Sequence, residues 1–351
     1  SMEDGTISKF KSTNQYAGPV VVNGGSMTMS GGTIDRNTAT EFNSAGGVLV
    51  NTDSTFTMTG GTISNNSAKR GGGVLVRENG QFKMPEMSKG TISGNTARVE
   101  SDSIAQPNAG GGGVFVEGDA SFEMEDGTIT GNTTNGMGGG VATALLNEND
   151  KTTGGGQFHM TGGTISSNKA SCGGGVYSWS EKNRVVLEGG NIVDNTASRQ
   201  GGGVYVSHAP WAITIKNALV TENTATIQGG GIWACPKGTV DLGTDIAIFE
   251  NRAGESADDA AFLLKWDETY STSFTNQLYG GGIVTWYRDT SISHGDANYG
   301  LFAGPRFDAS DPGNPVGLVS GDIKGYGLKA VVSEESKALA ETAPLKITYN
   351  K

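Results

Sequence analysis

The feature that most constrains this chain is an internal repeat with a period of about 28 residues. In each repeat an aliphatic residue is followed three positions later by an asparagine. Self-similarity at such a period is typical of solenoids, in which each repeat stacks on its neighbours. The eight pairs of aliphatic residue and asparagine are Ile34/Asn37, Ile63/Asn66, Ile92/Asn95, Ile129/Asn132, Ile165/Asn168, Ile192/Asn195, Val220/Asn223 and Ile248/Asn251.

Two further patterns recur along the chain and define the strands. One is a run of glycines before an aliphatic residue, as at residues 173–176, and the other is a pair of hydrophobic residues two positions apart, as at Phe56 and Met58. Hydrophobic residues that alternate with polar ones are typical of half-buried strands, and Gly, Asn, Ser and Thr are typical of corners. Each repeat therefore predicts three short strands, each paired with its equivalents about 4.8 Å away in the neighbouring coils.

The repeat and the glycine content together predict the fold class. Glycine contributes 57 of the 351 residues, and glycine this dense would destabilise helices, so a helical repeat is excluded. We predict an all-β protein, a right-handed three-sided parallel β-helix over residues 1–300 with a C-terminal capping region over residues 301–351. The helix of this cap is expected at residues 333–340, with Ser333 as its N-cap and two glutamates in its first turn.

The alternation also predicts which side chains point inward. Phe56 and Met58 are expected to face the core, so the residues between such pairs form a column that faces solvent. His159 belongs to that column and is expected to be a solvated surface residue rather than a ligand. The asparagines fall at one turn of every coil, where we expect a ladder of side-chain amides that bond the backbone of neighbouring coils.

Charge and motif content exclude several classes of function. The net charge is −11 and 17% of the residues are charged, which excludes nucleic acid as a partner because a basic face would be needed. The sequence has no run of about 18 apolar residues, so we expect no insertion into a membrane. It carries no cofactor fingerprint and no metal motif. The two cysteines, Cys172 and Cys235, are expected to be free, buried thiols too far apart for a disulfide.

The repeat motifs resemble those of a family of bacterial surface proteins. Three segments carry the likeness: ISNNSAKRGGGVLV, IVDNTASRQGGGVYV and VTENTATIQGGGIWA. Their order of aliphatic-x-x-Asn, small-residue turn and Gly-Gly-x-aliphatic is similar to the FxxN and GGA[ILV] repeats of the polymorphic outer membrane proteins, which include adhesins. The resemblance covers roughly residues 30–235. It implies a pectate-lyase-like β-helix at the cell surface or outside the cell. Because residues 4–7 already read as part of a repeat, we expect the chain to be part of a longer secreted bacterial protein.

One outward column becomes aromatic near the middle of the chain and forms the first candidate site. Flat aromatic faces stack against sugar rings, so this column predicts a platform for a glycan. Exposed rings in a row are unfavourable unless they are covered or used. The alternatives are therefore cover by residues 267–279 or by the C-terminal region, or a contact with another protein. The glycan-binding candidates, which include two residues of the next corner, are Tyr177, Trp179, Tyr205, His208, Trp211 and Trp233.

A set of aspartates where the repeat breaks down forms the second candidate site. Counted from the asparagine of their coil, Asp258 and Asp259 stand where the preceding coil has two glycines. Asp289 and Asp296 lie in an aromatic, non-repetitive segment that follows. Paired carboxylates perform glycoside hydrolysis, one as acid and one as base or nucleophile. The alternatives are a turn, a cap or a pair of Ca²⁺ ligands at Asp258 and Asp259, and an end structure that covers the last coil.

Two functions are open on the sequence. The first is a non-catalytic extracellular surface protein, a monomer that binds a glycan or another ligand on a host surface in the manner of an adhesin. The alternative is a carbohydrate-active enzyme that acts on host glycans through the four aspartates. It would be a polysaccharide lyase or a β-helical glycoside hydrolase similar to lacto-N-biosidase. The regular repeat favours the first function, and the broken coil beside the aromatic column favours the second. Neither function requires a cofactor.

Overall fold

The structure is a computed structural model that describes residues 1–99, 109–145, 154–181, 183–207, 212–235, 239–242, 246–262, 276–291, 306–311, 313 and 326–342. The protein is an all-β solenoid in which the equivalent strands of successive coils pair in parallel. Four stacks of strands run along the chain, and we name them the Ile sheet, the corner sheet, the Gly sheet and the Phe sheet.

The Ile sheet and the corner sheet flank the asparagine of each coil. The strands of the Ile sheet are Thr6–Ser8, Thr33–Asp35, Thr62–Ser64, Thr91–Ser93, Thr128–Thr130, Thr164–Ser166, Asn191–Val193, Leu219–Thr221 and Ala247–Phe249. The strands of the corner sheet are Lys11–Ser12, Thr38–Ala39, Ser67–Ala68, Thr96–Ala97, Thr133–Thr134, Lys169–Cys172, Thr196–Gln200, Thr224–Ala225 and Arg252–Ala253.

The Gly sheet follows each glycine run, and the Phe sheet holds the hydrophobic pairs. The parallel strands of the Gly sheet are Val20–Asn23, Val48–Asn51, Val74–Val76, Val114–Glu117, Val141–Ala144, Val176–Ser178, Val204–Val206, Ile232–Ala234 and Ala260–Phe262. The strands of the Phe sheet are Ser26–Met29, Thr55–Met58, Gln81–Met84, Ser121–Met124, Gln157–Met160, Val185–Leu187, Ala212–Ile215 and Thr239–Leu242.

The sequence predicted three strands in each coil, whereas the structure has four. Most of the additional corner strands have two residues, which is too short for a hydrophobic alternation to be visible in the sequence. In every coil after the first, an asparagine before the corner strand fixes the local backbone. An example is Asn66, whose Nδ2 donates to Ile34 O of one neighbouring coil and to Asn95 Oδ1 of the other. The right-handed winding and the three-sided cross-section stay predictions.

The core of the solenoid forms as the alternation predicts. Phe56, Phe82, Phe122 and Phe158 are fully buried and stack one above the next, with ring centroids 5.3, 4.6 and 5.0 Å apart. Stacked rings in adjacent coils bury a large apolar area and stabilise the register of the strands. His159 is exposed on the opposite face of the Phe sheet, beside the carboxylate of a surface glutamate. Both orientation predictions are therefore confirmed.

The glycine runs allow the coils to approach closely at one corner. Gly173 has a φ of +67°, which glycine adopts without a steric penalty. A Cβ atom on Gly174 would lie 2.4 Å from the carbonyl oxygen of Gly202 in the next coil, and one on Gly175 would lie 2.7 Å from that of Gly203. These distances are below any real Cβ contact, so the repeated glycines are required by the stacking of the coils.

An antiparallel strand pair and a helix close the C-terminal end of the solenoid. The strand Tyr326–Val332 pairs antiparallel with Ala260–Phe262, the last parallel strand of the Gly sheet, and with Val284–Ser291. It thereby covers a sheet edge whose backbone groups would otherwise be unpaired. A short 3-10 helix, Tyr279–Gly281, and the helix α1, Glu334–Thr342, complete the described part of this region.

The predicted cap helix is confirmed by α1. Its N-cap is Ser333, whose Oγ accepts a hydrogen bond of 3.2 Å from the backbone N–H of Ser336. Glu334 and Glu335 lie in the first turn, where negative charge is favourable beside the free N–H groups. Antiparallel pairing already begins at Val284, ahead of the boundary predicted at residue 300.

Candidate functional site

The aromatic column of the Gly sheet is in register but covered. Tyr177, Tyr205 and Trp233 pair in successive strands, and the exposed fractions of the three residues are 1%, 4% and 1%. The rings of Tyr177 and Tyr205 stack with their centroids 5.6 Å apart. The outer face of the Gly sheet is thus part of a second apolar cluster, separate from the core. These three rings offer no exposed platform to a glycan.

The rest of this second cluster is also buried. Trp179 is 7% exposed, and Tyr205 Oη lies 2.8 Å from the Sγ atom of Cys235. Cys172 and Cys235 are free and buried, as predicted. Burial raises the pKa of the Cys172 thiol to about 12, so this thiol carries a proton at neutral pH. The other two glycan-binding candidates, His208 and Trp211, lie outside the described residues.

Asp259 ends the asparagine ladder. In each coil the backbone N–H and the Nδ2 of the asparagine donate to the Oδ1 of the next asparagine, as from Asn223 to Asn251 at 3.0 and 2.9 Å. Asn251 donates in the same way to Asp259 Oδ1, at 2.9 and 3.0 Å. The second oxygen, Oδ2, accepts a hydrogen bond of 2.8 Å from the backbone N–H of Ala330. Asp259 therefore joins the solenoid to the C-terminal strand.

The replacement of glycine by aspartate at this point has a steric reason. A Cβ atom on Gly231, which is equivalent to Asp259 one coil earlier, would lie 2.8 Å from the Nδ2 of Asn251. Glycine is required wherever another ladder asparagine follows. Beyond Asp259 the described chain has no further ladder asparagine, so a side chain fits there and its carboxylate occupies the place of the next amide.

Asp258 and Asp289 belong to an ion-pair network around Arg306. The Nη2 of Arg306 lies 2.7 Å from Asp258 Oδ1 and 3.3 Å from Asp289 Oδ2. Asp289 is 1% exposed and also accepts hydrogen bonds of 2.9 Å from the backbone N–H groups of Asp258 and Phe307. Lys329 Nζ lies 3.3 Å from Asp258 Oδ2. The network fastens residues 306–307 to the end of the solenoid.

The three described aspartates are therefore poorly suited to acid–base catalysis. Asp259 and Asp289 are closed to solvent, and each is held by several donors. Burial raises the pKa of Asp259 to about 6, while Lys329 and the donors of Asn251 and Ala330 act in the opposite direction. The fourth candidate, Asp296, lies outside the described residues. Among the described residues no group of three or more His, Cys, Asp or Glu could hold a metal ion.

A groove of about 750 Å³ lies beside this network at the C-terminal end of the solenoid. Its volume is within the range of about 300–1,000 Å³ that is usual for ligand pockets. Three stacked acidic residues of the last coils and several cations line it. Of the three aromatic residues that line it, Phe249 is fully buried, and Tyr287 and Phe307 are half-buried.

The acidic residues of the groove occupy one position of the coil, immediately before the ladder asparagine. They are Asp194, Glu222 and Glu250, and all three are exposed. Their φ angles are +56°, +57° and +56°, so the same tight turn recurs in each coil. The equivalent residues of the first two coils are Lys9 and Arg36. This column therefore changes from basic to acidic along the solenoid and places three carboxylates in a row beside the groove.

The aromatic pair of the groove is positioned by Asp289. The rings of Tyr287 and Phe307 lie with centroids 5.2 Å apart at an angle of 47°. Tyr287 lies two residues before Asp289 in the same strand, and the backbone N–H of Phe307 donates to Asp289 Oδ1. A residue predicted to be catalytic thus has a structural part in the candidate site.

Sequence reasoning did not identify this groove. The row of acidic residues could have been predicted from the sequence, because the repeat period assigns the residue before each ladder asparagine to one column. Phe307 follows a segment without repeats, so no periodic signal connects it with Tyr287. Only the tertiary contacts through Arg306 and Asp289 bring the two rings together.

Compared with known proteins, the chain matches no family model, no curated protein and no solved structure. Among the described residues, no helix combines the length and apolar character needed to cross a membrane.

Proposed function

We propose that this protein is a rigid, non-catalytic surface solenoid that binds a glycan in the groove at its C-terminal end. The observation that carries the proposal is the half-buried pair of Tyr287 and Phe307 in a groove of ligand size that charged side chains also line. A sugar ring presents an apolar C–H face to an aromatic ring and hydroxyl groups to charged partners. The groove offers both kinds of contact.

The engagement of the aspartates supports binding rather than turnover. A glycoside hydrolase needs two carboxyl groups with access to the same glycosidic bond. Asp259 is fully buried in the ladder and Asp289 is almost fully buried under Arg306, so neither reaches a substrate. Asp258 is shared between Arg306 and Lys329. The proposal therefore assigns these residues to the scaffold of the site.

The proposal also includes where the protein is located and which protein family it is related to. The order of motifs in the repeats, with aliphatic-x-x-Asn before a glycine run, resembles that of the polymorphic outer membrane proteins. A right-handed, pectate-lyase-like winding, an extracellular or cell-surface location within a longer bacterial protein, a monomeric state and an adhesin-like role in contact with host glycans belong to this proposal. The long stack of coils supports it, because a rigid stalk can hold a terminal groove away from a surface.

A glycan array with a parallel assay for hydrolysis tests the proposal. We expect at least one glycan to bind without release of products. Tyr287→Ala and Phe307→Ala should each weaken that binding about tenfold, because a central aromatic contact contributes about 1.4 kcal/mol or more.

A matched control for these variants is Phe10→Ala. Phe10 is also an exposed aromatic residue, at 44%, but it lies in the first coil, far from the groove. We expect its removal to leave glycan binding unchanged. Hydrolysis of any bound glycan would overturn the non-catalytic assignment. Binding that survives both groove substitutions would overturn the site.

A further inference from the structure

We infer that the groove selects glycans that carry a free amino group, and that Glu222 recognises the protonated amine. The inference rests on the proposed glycan binding and names its ligand class. It follows from the distribution of charge in the groove. Two of its three cations, Lys329 and Lys337, are paired with carboxylates, whereas the carboxylate of Glu222 has no partner among the described residues.

Two cations of the groove are already neutralised by the protein. Lys329 Nζ lies 3.3 Å from Asp258 Oδ2 and 3.7 Å from Asp259 Oδ2. Lys337 Nζ contacts the carboxylate of Glu250 and lies 2.7 Å from that of Glu334. Because each ammonium group is shared between two carboxylates, neither is available to attract an acidic ligand.

Glu222, in contrast to these paired cations, is a charged group of the groove without a described partner. It is exposed, it lines the groove, and among the described residues its carboxylate has no hydrogen-bond or ion-pair partner. The pairing of the Ile sheet puts Asp194 and Glu250 at the same position one coil to either side, at a spacing of about 4.8 Å. Asp194 accepts a hydrogen bond of 2.8 Å from Ser167, and Glu250 is bound by Lys337. Glu222 is thus the middle carboxylate of the row and lacks a counter-ion.

A cationic group of a ligand near Glu222 would reduce the repulsion among the three carboxylates. Like charges at this spacing repel, and an ammonium ion near Glu222 replaces the repulsion by attraction. The rings of Tyr287 and Phe307 line the same groove and favour a cation near their faces. In a glycan the group with this chemistry is a free amine on the sugar ring. Acetylation removes its charge, so the acetylated sugar loses the contact.

Arg252 provides a control of opposite sign. It is exposed and lines the groove, and its guanidinium group has no hydrogen-bond or ion-pair partner among the described residues. Its charge opposes the approach of an amine. Arg252→Gln should therefore leave amine binding unchanged or strengthen it, whereas Glu222→Gln removes the attraction.

The test compares hexamers of β-1,4-linked glucosamine and N-acetylglucosamine by titration calorimetry at about pH 6, where a sugar amine is protonated and a carboxyl group is ionised. We expect the amine hexamer to bind at least about fivefold more tightly than the acetylated one. Glu222→Gln should abolish that difference, since an exposed ion pair contributes up to about 1 kcal/mol. Added salt should reduce the difference, because the contact is electrostatic.

The outcomes separate this inference from the proposed function. Equal binding of the two hexamers, or a preference for the amine that survives Glu222→Gln, would refute the inference. If a neutral glycan binds with dependence on Tyr287 but not on Glu222, the proposed function stands and the amine preference fails. If neither hexamer binds and no array glycan binds, both fail.

Discussion

Glu117 is the centre of a charged cluster buried on the outer face of the Gly sheet. Its carboxylate contacts Arg70 Nη1 and lies 3.0 Å from Arg77 Nε, and the three residues are 0%, 1% and 4% exposed. The Arg70 guanidinium also lies 3.9 Å from the ring centroid of Phe42. Burial lowers the pKa of Arg70, while the charge of Glu117 acts against that shift. Glu117 is therefore shared by two buried cations, of which Arg77 also lies 3.2 Å from the carboxylate of Glu78.

Glu117→Gln should destabilise the protein by about 3–5 kcal/mol, because among the described residues it leaves the buried guanidinium of Arg70 without a counter-ion and that of Arg77 with only the more exposed Glu78. Urea unfolding followed by circular dichroism measures the change. Glu123→Gln is the matched control, since Glu123 pairs with Lys83 at 3.1 Å on the exposed face and 46% of its side chain is accessible. The control should cost at most about 1 kcal/mol. Equal losses in the two variants would show that the buried cluster contributes no more than a surface pair.

The asparagine ladder is an element with a direction, which explains its aspartate end. Every ladder asparagine donates toward the C-terminal end, so the last one presents N–H groups that need an acceptor. Ala330 presents a further N–H to the same residue from the opposite side. An asparagine at position 259 has a single acceptor oxygen and would face one of these donors with its own NH₂ group. A carboxyl group, unlike an amide, presents an oxygen to both sides.

Asp259 should make the stability of the protein depend on pH. Burial raises its pKa to about 6 in the folded protein, above the ordinary value of 3.8, so the folded state binds this proton more tightly than the unfolded chain. The resulting stabilisation is fully present below about pH 4 and is lost as the pH rises through about 6. It amounts to about 2–3 kcal/mol. The free energy of unfolding, measured with urea, should therefore fall between about pH 4 and pH 8. Asp259→Asn should remove the part of this fall that the carboxyl group causes.

Asp53→Asn is the control for this pH dependence. Asp53 lies on an exposed turn, where it accepts a hydrogen bond from Asn79, so its removal should leave the decline intact. An Asp259→Asn variant with the wild-type pH dependence would contradict the assignment of the decline to this carboxylate.

The orientation of the strands was predictable in both sheets, but the burial of the outer face was predictable only where that face is polar. The Phe sheet alternates between Phe56 inside and Thr57 outside, so the period alone gives its orientation. In the Gly sheet Val204, Tyr205 and Val206 are all buried. Alternation still identifies the inward residue there, but the burial of the other face depends on contacts that the period does not encode. The facing of the aromatic column left both an exposed platform and a covered face open, and the burial of Tyr177, Tyr205 and Trp233 agrees with the covered face.

At the scale of the whole molecule, each coil contacts mainly the coils before and after it. The stability of such a stack is approximately a sum of coil and interface contributions, so opening from an end costs less than opening in the middle. The fold class and most of the repeat were readable from the sequence, because every coil repeats the same requirements. The groove was not readable, because the non-repetitive C-terminal segments form one of its walls.

The reactivity of the two thiols tests whether opening near an end costs less than opening in the middle. Cys172 lies in a central corner strand, whereas Cys235 follows the strand Ile232–Ala234, after which one parallel strand of the Gly sheet remains. Neither thiol should react with a maleimide in native buffer, because both are buried and burial raises the pKa of each. In low concentrations of urea we expect Cys235 to be labelled several times faster than Cys172, as fewer coils must open.

Mass spectrometry of tryptic peptides measures both rates in one sample, and the variants Cys172→Ala and Cys235→Ala show whether the two reactions are independent. Equal rates would mean that the solenoid opens as one cooperative unit, and labelling in native buffer would contradict the burial of the second cluster.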